Sequence, residues 1–174
     1  MSDGPRVRQD HFYVRRTTMA QTADALDASA QAAIAEALNQ AVAETAVTTM
    51  LAQNFHWNVT GMAFGPLHAL FQEIYEDHFT AQDDLAERIK AIGGHAEGQL
   101  SAMVARSKVA EHDGHADAAT MVKTLAEAQR TIAATLAGVQ AVAAEGGDTL
   151  TEDLAIARGQ THEKFAWILE AHLK

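Results

Sequence analysis

The sequence predicts an all-α protein, four long helices packed as one bundle, on three observations. Alanine and straight-chain residues dominate long segments in which apolar side chains recur at three and four, the period of a buried helix face. Only two prolines occur, the later at Pro66, so 108 residues follow without a helix breaker. Paired glycines at 93–94 and 146–147 then divide the chain into helix-sized pieces. A length of 174 residues suits one domain with a sizeable core and is short for two.

Residues 1–21 lack a sustained apolar period and read as a basic extension, which leaves 22–174 as the bundle. Ile34, Leu38, Val42, Val47, Leu51 and Phe55 mark a first helix over 28–60, stopped by Gly61. Gly65-Pro66 starts the second, with proline at the first helical position, where its missing N–H costs nothing. That helix runs to Gly93-Gly94, a pair suited to a left-handed C-terminus. From Gly93 to Asp117 the chain reads as a long connection, with one helical turn around Met103-Val104, and a connection that long asks for a reason. Met121, Leu125, Ala128, Ile132, Leu136 and Val139 carry a third long helix to Gly146-Gly147. Thr149 with Glu152 gives a capping-box signature for the fourth, which extends to Leu173. Short links within each pair and one long link between the pairs describe the ferritin-like bundle with a single crossover.

Composition narrows the chemistry. Without cysteine there is no disulfide, no thiolate nucleophile and no thiolate-held metal, so any metal must be bound by nitrogen and oxygen. Net charge is −10, which favours cations over nucleic acid as partners of the body. The extension is the exception, with Arg6, Arg8, Arg15 and Arg16 against Asp3 and Asp10. No run of ~18 apolar residues exists, and the N-terminus lacks the apolar stretch of a signal peptide, so the expectation is a cytoplasmic protein with no membrane contact.

The nine histidines contain neither His-Glu-x-x-His nor the Glu-x-x-His of intramolecular di-iron bundles. A different set stands out. His56 lies near the end of the first helix and His68 near the start of the second, while Asp83 and Glu87 share one face of that second helix. From His68, these carboxylates are ~22 and ~28 Å away along the helix, too far to share one metal ion. Two copies packed antiparallel about a two-fold axis would instead set the histidine end of one against the carboxylate end of the other, building two symmetric sites. Such ligands suit ferrous iron, zinc or manganese. On spacing alone, packed histidines and a hydrated acidic face remain the ordinary reading.

The run Asn54-Phe55-His56-Trp57-Asn58-Val59, then Gly61, Phe64, Leu67-His68, Phe71, Asp83, Ala86-Glu87-Arg88 and Gly93-Gly94, resembles the signature of the Dps family, the DNA-binding proteins from starved cells. Lys164 to Glu170 resembles the family's last helix, so the likeness covers 28–174. The resemblance implies a hollow homododecamer that oxidises Fe2+, preferentially with hydrogen peroxide, stores it as a ferric mineral and protects the cell from oxidative damage. It implies two inter-subunit iron sites per two-fold dimer, each with His56 and His68 from one subunit and Asp83 and Glu87 from the other. Trp57 matches an aromatic residue that intercepts oxidising equivalents, or packs at an interface. Gln72 departs from the pattern, because the family commonly has a carboxylate four residues after the second histidine. A neutral amide is a weaker ligand for a hard cation and bears on the second iron position; Glu76, one turn on, is the nearest substitute or a solvated surface residue.

The resemblance also implies acidic pores near the start of the third long helix, for which Glu127, Asp117 and Asp113 are candidates. DNA contact through the four arginines of the extension would gain avidity from twelve copies, against an acidic body. Phe12, Tyr13 and Val14 fit a packing role in the extension equally well. The alternative function is a nucleoid-associated, DNA-binding structural protein with a weakened iron centre. His112 and His115 form a pattern for a surface metal, and His78, His95, His162 and His172 have no partner pattern.

Overall fold

In the computed structural model, residues 26–174 are described, and they form five helices with no strand among them. These are α1 (Ala28–Asn58), α2 (Phe64–Ala91), the short α3 (Leu100–Arg106), α4 (Ala118–Gly146) and α5 (Thr149–Ala171). The extension over 1–21, with its arginines and Phe12-Tyr13-Val14, lies outside the described residues. No helix among the described residues is long and apolar enough to cross a membrane.

Local chemistry sets the helix ends, and it corrects three expected boundaries. Asp27 caps α1, its Oδ1 accepting from the backbone N–H of Ser29 at 2.9 Å and Ala30 at 2.8 Å. The helix ends at Asn58, two residues before the expected stop, because Val59 is already extended. α2 starts at Phe64, so Pro66 is its third residue rather than its first. Every N–H of a first turn lacks an intrahelical acceptor, which is why proline is accepted there too. α5 is capped by Asp148, whose Oδ1 accepts from Thr151 N at 3.1 Å, and Thr149 is already helical. Glu152 accepts from Gln140 Nε2 at 2.7 Å instead of closing a capping box. The glycine pairs behave as expected: Gly147 takes φ +77° at the end of α4, and Gly93 takes +85° after α2.

α1 packs on α2 and α4, and α4 on α5, while α3 lies against α1. The long crossover has its reason in three amides on α1 that hold it down. Asn39 Nδ2 donates to His95 O at 2.9 Å and its Oδ1 accepts from Glu97 N at 2.9 Å. Gln40 donates to Arg106 O at 3.0 Å, and Asn54 to His112 O at 2.8 Å. Side chains of one regular helix thereby satisfy backbone groups of an irregular segment.

Two apolar clusters fill the bundle. One, built around Phe55, Phe71, Ile74, Leu125 and Phe165, lies at the α1–α2 turn end. The other, around Ile34, Leu38, Leu85, Ile89 and Ile132, lies at the α4–α5 turn end. Each such side chain, fully buried, contributes about 1.5–3 kcal/mol relative to exposure. Between the clusters every long helix supplies fully buried polar residues: Thr45 and Thr48 from α1, His78 from α2, Gln129 from α4 and His162 from α5. α2 and α5 meet through the ion pairs Arg158–Asp77 and, at the α5 cap, Arg88–Asp148 at 2.6 Å, and through the ring of His78 against those of His162 and Phe165.

Candidate metal centre

The turn between α1 and α2 brings His56 and His68 together. Their rings stack with centroids 3.6 Å apart and 19° between planes. His56 Nδ1 donates to the backbone O of His68 at 2.8 Å, and His68 Nδ1 donates to the backbone O of His56 at 2.8 Å. A carbonyl oxygen can only accept, so both Nδ1 atoms carry the proton and each neutral ring keeps its lone pair on Nε2. The same bonds satisfy a carbonyl in the last turn of α1, which has no intrahelical partner. Two imidazoles are thus oriented, and set in the tautomer that binds metal, by backbone groups behind them.

Aromatic rings hold this pair on two further sides. Phe64 stacks on His68 with centroids 5.0 Å apart, and the edge of Tyr75 meets His56 at 5.4 Å and 82°. The sequence reading missed Tyr75, although its place seven residues after His68 puts it two turns along a nearby face. Trp57 points elsewhere: it is 62% exposed and, with Met50, Met103 and Val104, lines an apolar groove of about 310 Å³ between α1 and the crossover.

Asp83 and Glu87 are both exposed on α2 and form no ion pair or hydrogen bond within the described residues. They extend a stripe that begins at His68 and continues through Gln72, Glu76 and Phe79, at successive spacings of four, four, three, four and four. Phe79, 74% exposed in the middle of this charged stripe, also escaped the sequence reading. Gln72 Nε2 donates to Glu76 Oε1 at 2.7 Å, so the amide is tied to the carboxylate one turn on.

Within one chain, no three His, Asp or Glu side chains among the described residues converge to hold a metal ion. His56 and His68 are brought together; Asp83 and Glu87 stand at the far end of α2. The pore candidates are all exposed, yet two are engaged locally. Asp117 caps α4 through Thr120 N at 2.7 Å, and Asp113 Oδ1 accepts from His115 N at 2.9 Å. Glu127 lies 4.0 Å from Lys123. His112 accepts from Gly114 N and packs its ring on Phe55, while His115 is exposed. His78 and His162, assigned no role from sequence, are the fully buried pair at mid-bundle.

Comparison with known proteins gives this geometry its context. Residues 35–174 match the model of the ferritin-like domain. The chain is 36% identical over 146 residues to a DNA protection during starvation protein of Brevibacillus brevis, covering 84% of this chain and 98% of that one. It is 35% identical over 138 residues to general stress protein 20U of Bacillus subtilis, covering 79% and 95%. Among solved structures, the Dps protein of Vibrio cholerae O1, described as a member of the ferritin-like diiron-carboxylate proteins, superposes with a TM-score of 0.84 at 31% identity, covering 90% of this chain and 98% of that one. A Dps protein from Bacillus brevis gives 0.82 at 35% identity, covering 86% and 100%. With a ferritin-like bundle, a single crossover and full-length relatives of this kind, the chain belongs to the Dps family.

Proposed function

We propose that this protein is a Dps-type ferroxidase and iron store: a hollow homododecamer that oxidises Fe2+ with hydrogen peroxide at two sites per two-fold dimer. The observation that carries this reading is the oriented His56–His68 pair, whose two Nε2 lone pairs have no partner among the described residues, beside a helix whose exposed stripe ends in the carboxylates Asp83 and Glu87, unengaged among those residues. Antiparallel packing of two α2 helices complements each half-site with the other. The exposed Phe79 supports that packing. It lies within one turn of the midpoint between His68 and the two carboxylates, where the two-fold axis would pass, and a large apolar side chain there calls for a cover.

In this reading iron is the substrate. Imidazole nitrogen from His56 and His68 suits the ferrous ion, and Asp83 and Glu87 favour the ferric product, because a more highly charged ion gains more from anionic oxygen. Two ferrous ions give up two electrons, peroxide takes both with two protons, and two water molecules result without release of a hydroxyl radical. Ferric hydrolysis then feeds a mineral inside the shell. Gln72 supplies no charge, so Glu76, already tied to it at 2.7 Å, is the carboxylate available one turn on. The acids at the start of α4, Glu127, Asp117 and Asp113, are the candidates for the iron path, and Trp57 for the interception of stray oxidant.

Anaerobic Fe2+ followed by stoichiometric peroxide, with iron and protein tracked together by size exclusion, tests the reading. Rapid oxidation with iron eluting in a large shell supports it. A large shell without iron, and oxidation at the protein-free rate, would overturn it. Gln72 favours one second reading, a DNA-binding structural protein of the nucleoid with a weakened iron centre. The name of the Brevibacillus brevis relative points the same way. Salt-sensitive retardation of DNA that is lost on deleting residues 1–20 would support it, through Arg6, Arg8, Arg15 and Arg16.

A further inference from the structure

A single directed chain of hydrogen bonds crosses the middle of the bundle. Arg158 of α5 pairs with Asp77 of α2. Asp77 Oδ2 receives His78 Nδ1 at 3.3 Å. His78 Nε2 receives Gln129 Nε2 of α4 at 2.9 Å, and Gln129 Oε1 receives His162 Nδ1 at 2.7 Å. Each member's role fixes the next: a carboxylate only accepts, so His78 donates from Nδ1 and accepts at Nε2, the amide turns its N–H₂ to His78, and His162 donates from Nδ1. The chain ends at the lone pair of His162 Nε2, which is fully buried and meets no hydrogen-bond donor among the described residues.

A proton on that atom would complete an imidazolium in a place built for a neutral ring. Among the described residues, the charged groups that act on it are Asp77, His78 and Arg158. From α2, Asp77 and His78 face the layer, but the charge of Asp77 is already matched by Arg158. From α5, Arg158 contributes a second positive charge. α4 supplies the neutral Gln129, bonded to His162, and at mid-bundle α1 carries the buried, neutral Thr45 and Thr48. Glu44 of α1 is buried too, with one oxygen bonded to Gln40 and 4.0 Å from Lys108. Burial, with His78 and Arg158 beside it, holds His162 well below the usual histidine range, and burial lowers His78 as well. Asp77 moves the other way: burial opposes its ionisation, but the bonds from His78 and Arg158 overcome this, so its ion pair survives mild acid.

We propose that the His78–Gln129–His162 layer is an acid-sensitive latch, in which mild acid favours a form opened along the α2/α5 seam that exposes His162 to water. The seam is where the bundle would part, because α1–α2, α1–α4 and α4–α5 are broadly packed, whereas α2 and α5 meet at a few points: two ion pairs, the Arg88 Nε–Thr151 Oγ1 bond, and the ring of His78 against those of His162 and Phe165. The carboxylates of those pairs stay ionised in this range, so His162 and not the ion pairs is the trigger. The sign follows from linkage: a histidine whose pKa is lower in the closed form gives full stability above its ordinary pKa of about 6.5, and stability falls as pH drops below it. Protonation of His162 only in the open form raises the opening constant by about tenfold per pH unit.

The test uses the full-length assembled protein. Urea unfolding at pH 7.0 and 5.5 is compared between wild type and His162→Gln, with deuterium exchange at each imidazole carbon giving the pKa of individual histidines by mass spectrometry. The expected results are a midpoint that falls with pH in wild type, a smaller fall in His162→Gln, and faster amide exchange in α5 at pH 5.5. Equal loss of stability in both proteins, or an ordinary pKa for His162 while its amides stay protected, would overturn the proposal. If His162→Gln does not fold, His78→Gln and the imaging of His162 by imidazole exchange in wild type decide the matter with the same two criteria.

Discussion

His56 and His68 each donate a hydrogen bond to the other's backbone carbonyl, both at 2.8 Å, so each ring is oriented by the other residue's main chain. A substitution at either position therefore removes one nitrogen and the stacked ring, while the remaining imidazole keeps its carbonyl acceptor. On the proposed function, His68→Ala lowers iron-dependent peroxide consumption by about tenfold or more, at least the loss seen when only an orienting partner is removed. His172→Ala, at the exposed end of the chain, leaves it unchanged. Stopped-flow measurement with size exclusion on the same samples separates lost chemistry from lost assembly.

Shared sites make a quantitative prediction. A His56→Ala/His68→Ala chain and an Asp83→Ala/Glu87→Ala chain are each inactive alone. In a mixed two-fold dimer one site carries both lesions and the other carries none. Random co-assembly makes half the dimers mixed, so activity returns to about a quarter of wild type. A site contained within one chain predicts no recovery. Co-refolding of the two variants, with activity measured per shell, distinguishes the two.

How much of this was legible in the sequence depends on how local the cause is. The helices and the glycine stops were legible because period and backbone conformation are properties of neighbouring residues. The starts of α2 and α5 were misread by one or two residues, because the cap of α5 is chosen by Arg88, distant in sequence, which pulls Asp148 into place. His56 and His68 were legible as a pair since they flank one turn. Their reciprocal bonds were not, for they depend on backbone carbonyls that carry no residue identity. Phe79 and the His78–Gln129–His162 layer were missed for the same reason: one needs a second copy to acquire a meaning, and the other needs three helices brought together.

Asp148 shows what that distant cause contributes. It is fully buried, caps α5 and accepts from Arg88 Nη2 at 2.6 Å, and Arg88 also donates from Nε to Thr151 Oγ1 at 2.7 Å. Asp148→Ala leaves a largely buried guanidinium unpaired, which costs about 3 kcal/mol or more and lowers Tm by roughly 6–12 °C. Burial opposes ionisation of Asp148, but Arg88 and Thr151 overcome it and hold the carboxyl below its ordinary value. Its contribution is therefore present above about pH 4 and is lost as pH falls further, the opposite end of the acid range from the histidine layer. Thermal melts from pH 6 to pH 2 check this: the gap between wild type and Asp148→Asn narrows only below about pH 4.

Gly94 is required for a different reason from its neighbour Gly93, and a small substitution separates the two. A Cβ at position 94 would lie 2.8 Å from Ala35 Cβ and 2.9 Å from Ile89 Cγ2, closer than side-chain atoms approach. Both neighbours belong to the apolar cluster at the α4–α5 turn end, Ala35 and Ile89 being buried, so neither can retreat without opening space elsewhere. Gly94→Ala therefore overpacks the junction of α1 with the end of α2 and destabilises by about 1–3 kcal/mol. Gly98→Ala, four residues on, meets nothing within 4 Å and changes stability by no more than about 0.5 kcal/mol. Since Glu87 lies within two turns of this junction, denaturant unfolding and peroxide consumption are measured on the same variants. Loss of stability with the activity of the remaining folded shells intact would place the role of Gly94 in close packing alone.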